Sequence, residues 1–149
     1  MKQDNSLDFK NEQEREEFKM DVLVQEYRKA SAIEIGLAVY TMDSGRIEYA
    51  DKDGRKIEWQ PDIDANQREM IEDWLINPSG THGLDIKFQF EQDSGGVWLA
   101  EFWRRGHPKD VYHSYEDESK SIAFMETFMQ YIKTLNSLYY FAQKVNFFS

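Results

Sequence analysis

Cysteine is missing from this 149-residue sequence, proline occurs three times, and no apolar run reaches the roughly 20 residues of a membrane-spanning helix. The first absence excludes disulfides, thiol catalysis and cysteine-type zinc sites. Also missing are the nucleophile motif GxSxG, the phosphate cradle GxxxxGKS/T, the dinucleotide fingerprint GxGxxG and the zinc-protease spacing HExxH. Positive charge is scarce: 18 Lys and Arg stand against 28 Asp and Glu, a net charge of −10. A surface of that sign repels phosphates, which disfavours direct nucleic-acid binding. The first residues (MKQDNSLDFKNEQEREEF) lack the apolar core of a secretory leader, so the expected location is cytoplasmic, with no membrane contact.

What is present is clearest in residues 84–104. Leu84, Ile86, Phe88 and Phe90 alternate with Asp85, Lys87, Gln89 and Glu91, and strand side chains point to opposite faces in turn. Residues 92–96 supply a turn with two glycines, and Trp98, Ala100 and Phe102 continue the apolar face on the return. This predicts a hairpin with one wet face and one that must be covered.

Residues 1–10 are polar and are expected to fray. Residues 11–31 read as a helix with acids in its first turns and an apolar stripe of Phe18, Met20, Leu23, Val24 and Tyr27. Residues 33–40, 46–50 and 55–60 read as a three-stranded meander that Pro61 stops. Asp64 is the expected N-cap of a second helix reaching residue 76, with Gln67 as its capping-box partner. After the hairpin, residues 111–115 suggest a sixth strand and residues 117–145 a long helix, bent or split at Asn136-Ser137. Turns this short join antiparallel strands. The expected fold is one α+β domain over residues 11–149: an antiparallel sheet of five or six strands, meander plus hairpin, covered by N-terminal, central and long C-terminal helices.

Each candidate for chemistry has a plainer reading. Asp51-Lys52-Asp53-Gly54 opens like a calcium loop, but Lys56 and Ile57 follow where oxygen ligands belong, and a hairpin turn explains it. His107 and His113 straddle a loop near Glu116 and Asp117 and offer zinc-type ligands without any recognised spacing; ordinary loop histidines are the default. The basic cluster at 103–109 reads more simply as arginines pairing with nearby acids than as a base-stacking site. No cofactor or metal is expected, and the protein reads as non-enzymatic.

The acidity is concentrated. Residues 61–95 carry eight acids against Arg68 and Lys87, a net −6, whereas residues 96–149 sum to zero. Asp62, Asp64, Glu69, Glu72, Asp73, Asp85, Glu91 and Asp93 are the expected contacts for a basic protein such as a toxin, nuclease or defence factor, supported by Trp59 or Trp103, whichever is exposed. The plainer reading is a solvated surface that keeps the chain soluble. The aromatic tail (Leu138-Tyr139-Tyr140-Phe141, then Phe147-Phe148) gives the alternative: a homodimer or larger structural assembly, of viral type, formed through the last helix.

In size, acidity and element order, and in the hairpin turn Asp93-Ser94-Gly95, residues 33–115 resemble the small bacterial immunity proteins that neutralise polymorphic toxins, with the YezG-like group nearest. The resemblance implies a toxin-neutralising role and assigns no residue a part in it. Phage-encoded inhibitors of host defence share the same general appearance.

Overall fold

The computed structural model describes residues 11–77, 80, 82–91, 95–106, 111–117 and 119–148, with the backbone alone for 104, 111–116 and 136–148. The first helix, α1 (Glu12–Ile35), starts where Asn11 Oδ1 accepts the Glu14 amide at 2.9 Å, an N-cap bond. It runs four residues past the expected end. Ile33-Glu34-Ile35 alternates like a strand, yet the helix continues to Gly36, whose φ of 91° is open to glycine and strained for other residues. The expected apolar stripe also fails at its start. Phe18 and Met20 are exposed, and burial becomes complete only at Tyr27.

The strands β1 (Ala38–Thr41), β2 (Ile47–Ala50) and β3 (Lys56–Ile57) form one antiparallel sheet, and β4 (Leu84–Glu91), β5 (Val97–Arg104) and β6 (Val111–Asp117) form another. This corrects the expectation of a single sheet of five or six strands. The meander strands are only four, four and two residues long and pair with one another, and α2 (Ala65–Ile76) intervenes before β4. Among the described residues no ladder joins the two sheets. Within the second sheet, Phe90 faces Trp98 and Ile86 faces Phe102, with a register shift between Phe102 and Trp103 on the β6 side.

The third strand, residues 56–57, is much shorter than the expected 55–60, and the Gln67 side chain engages the residues beyond it. The Gln67 side-chain amide accepts from the Gln60 amide at 2.6 Å and donates to the Glu58 carbonyl at 2.8 Å. Strand groups alternate in direction, and Ile57 pairs with Tyr49, so residues 58 and 60 present their backbone groups on the edge away from β2. Asp64 does cap α2, accepting from the Asn66 and Gln67 amides at 2.9 and 3.1 Å. The expected reciprocal bond is absent, since the Asp64 amide donates to the Gln60 carbonyl at 2.8 Å.

The last helix, α3 (Lys120–Phe148), passes through Asn136-Ser137 as one element. Ala100 and Ala123 are fully buried where α3 meets β5, and their small side chains leave room for close approach. Aromatic rings fill the interior: Tyr27 meets Phe128 edge-on at 5.6 Å, and Phe124 lies 5.6 Å from Phe102 and 6.0 Å from Phe88. Tyr49 and Trp59 join the same cluster, so sheets that share no hydrogen bond among the described residues share one core. No helix among the described residues is long and apolar enough to cross a membrane.

Candidate functional site

The eight acids expected to face a partner stand in different settings. Asp62 binds Arg28 through two hydrogen bonds, Oδ1 to Nε at 2.8 Å and Oδ2 to Nη2 at 3.0 Å, with only 10% of its side chain exposed. Ion pairs this buried are costly to break from one side, because the remaining charge loses its partner. The Asp62 carbonyl also accepts the Ser121 hydroxyl at 2.7 Å, so this residue ties α1 to α3. Asp64 is the α2 cap. Glu72 holds Arg68 at 3.0 Å one helical turn away, and Asp85 lies 3.4 Å from Arg105. Glu91 is half-buried at the end of β4, and Asp93 lies outside the described residues. Glu69 and Asp73 remain, exposed on α2 with no ion-pair partner among the described residues.

Those two acids sit in a pattern that recurs. Glu69 and Asp73 are one turn apart, as are the neighbouring Met70 and Trp74, which are 48% and 38% exposed. On α1, Glu17 and Asp21 stand in the same relation to Phe18 and Val22, 38% and 42% exposed. The helices pack against each other, and the Trp74 indole donates to Glu34 of α1 at 2.9 Å. Trp59, a proposed contact, is instead 2% exposed and donates its indole N–H to the Ser31 hydroxyl at 3.0 Å. Trp103 is half-buried.

One polar cluster was not anticipated from the sequence. The side chain of His82 is 6% exposed and lies between Glu34, 2.5 Å from Nε2, and the Tyr131 hydroxyl, 2.8 Å from Nδ1. The His82 bond, aided by the Trp74 indole, holds the Glu34 carboxyl below its ordinary range although burial opposes this. Carboxylate, imidazole and hydroxyl in series resemble a proton relay. Here the imidazole is enclosed, and the chain of bonds ties α1, α2, the segment before β4, and α3 together. Nothing local signals it, because residues 34, 74, 82 and 131 are brought together only by the tertiary fold.

The metal candidates resolve into turns or fall outside the described residues. Asp51 Oδ1 accepts the Asp53 and Arg55 amides, both at 2.9 Å, so the turn's own amides engage this carboxylate oxygen. His107 and the side chain of His113 lie outside the described residues, as do the side chains of the aromatic tail from residue 138. Among the described residues no group of three or more His, Asp or Glu is placed to hold a metal ion. In the basic cluster, Arg105 follows the plain reading in lying 3.4 Å from Asp85, and its guanidinium also donates to the Leu84 carbonyl at 2.9 Å and to the Ile76 carbonyl.

Compared with family models, curated proteins and solved structures, the chain matches none.

Proposed function

We propose that the protein is a non-enzymatic binding protein that inhibits a basic partner by covering its positive surface, as an immunity protein or a phage-encoded inhibitor does. One observation carries this reading. On both α1 and α2, acids without an ion-pair partner among the described residues run beside exposed apolar side chains: Glu17 and Asp21 beside Phe18 and Val22, Glu69 and Asp73 beside Met70 and Trp74. Protein interfaces combine apolar anchors with a polar rim, and unlike charges steer the encounter. Asp62, Asp64, Glu72 and Asp85 leave the proposed contact set, because each already has an internal structural role.

The test uses the full chain as bait in lysate of its own host, beside two variants, Glu69→Lys/Asp73→Lys and Glu17→Lys/Asp21→Lys. A basic protein that is captured at low salt, released by high salt and held about tenfold more weakly by at least one variant supports the reading. Neither variant is expected to change stability by more than about 0.5 kcal/mol, since all four positions are exposed. Capture that is indifferent to salt and to both pairs of reversals would overturn it.

A further inference from the structure

The strand β1 is the outer strand of its sheet, and the turn after it fixes which of its backbone groups β2 uses. Met42 donates its amide to the Arg46 carbonyl at 2.7 Å, so residues 42 and 46 form a hydrogen-bonded pair. Such pairs alternate along an antiparallel ladder, and the register makes Tyr40 with Glu48 and Ala38 with Ala50 the next two. Val39 and Thr41 therefore aim their N–H and C=O groups away from β2. Among the described residues no hydrogen bond takes them.

Edges of this kind are normally blunted by charge, by proline or by a covering segment. The stretch Leu37-Ala38-Val39-Tyr40-Thr41-Met42 contains neither charge nor proline, in a chain of which 31% is charged. On the far side of the same sheet, the Gln67 side chain takes the Gln60 amide and the Glu58 carbonyl. Tyr40 and Met42 stand 55% and 38% exposed beside the open edge.

We propose that β1 pairs antiparallel with β1 of a second copy, about a two-fold axis at Tyr40, joining the two meanders into one sheet. In that register Val39 lies opposite Thr41 of the other copy, and each such pair exchanges both of its backbone hydrogen bonds. Tyr40 meets Tyr40 at the closely spaced position between them, where aromatic pairs are favourable, and Met42 comes opposite Ala38. The charge pattern selects a second copy as the occupant. Asp43 comes level with Leu37, so no like charges meet across the seam, although each chain carries −10. A basic partner would find no charge on these six residues to attract it. The contact uses the same strand twice, so it closes at two copies.

Sedimentation equilibrium of the full chain between about 10 µM and about 1 mM, beside amide exchange by NMR, tests this. The expected result is a reversible dimer that tightens with added salt, because screening relieves the repulsion between two acidic chains. Partner capture has the opposite salt dependence and uses other residues, so failure of one is distinguishable from failure of the other. The Val39 and Thr41 amides should gain protection with concentration, while those of Ala38 and Tyr40, held by β2, stay protected throughout. Tyr40→Lys sets like charges opposite each other and should weaken the dimer about tenfold. Thr41→Pro removes an outward N–H without touching the β2 ladder and should weaken it at least as much. Both positions are exposed, and an unchanged circular dichroism spectrum would show that each variant folds. A monomer at every concentration, or a dimer equally tight in both variants, would overturn the proposal. So would protection of Val39 and Thr41 that appears only when another protein is added.

Discussion

At Glu34, one carboxylate oxygen accepts from donors 40 and 48 residues away, the Trp74 indole and His82 Nε2. Because these bonds favour the ionised form, the folded-state pKa of Glu34 lies below its unfolded value near 4.5. The sign of the linkage follows. Its contribution is complete above the unfolded pKa and is lost as pH falls through the folded one. Glu34→Gln should therefore lower stability by roughly 1–2 kcal/mol at neutral pH, with the gap to the wild type closing as pH falls below about 4.5. Urea unfolding at several pH values measures this; parallel curves for the two proteins would refute it. The same residue shows why this cluster was hidden in the sequence. Glu34 sits inside Ile33-Glu34-Ile35, which alternates like a strand, and its partners are fixed only once α2 and α3 have packed.

At the scale of elements, the end of α1 depends on backbone conformation more than on contacts. A side chain added at Gly36 would meet nothing within 4 Å, so only the φ of 91° opposes it. Gly36→Ala should thus cost about 1 kcal/mol, with faster amide exchange in the last turn of α1, and Gly36→Asn should cost less. Elements whose pattern is local were legible: β4 and β5 occupy residues 84–91 and 97–104 as the period of two implied, and Asp64 caps α2 as expected. Strand partnership was not legible. The alternation of β2 and β4 gives a face to each strand and says nothing about whether one sheet contains both. Nor could composition show that Asp62 pairs with Arg28, 34 residues earlier.

For the molecule as a whole, two sheets depend on one interior. Phe124 touches Phe88, Phe102 and Tyr27, and the cluster extends to Tyr49 of the first sheet. Phe124→Ala should cost about 3–5 kcal/mol. The loss should appear equally in amide protection of β2 and of β5, and a first sheet that kept its protection would show that the core is divided. The amide of Gln67 has a consequence beyond the fold of a single chain. A bare sheet edge is a template on which identical chains can stack into fibres. At Glu58 and Gln60 the template is already filled by the protein's own side chain, and Pro61 follows without an N–H to offer. Even in a concentrated solution, another copy would find the Glu58 carbonyl and the Gln60 amide already taken.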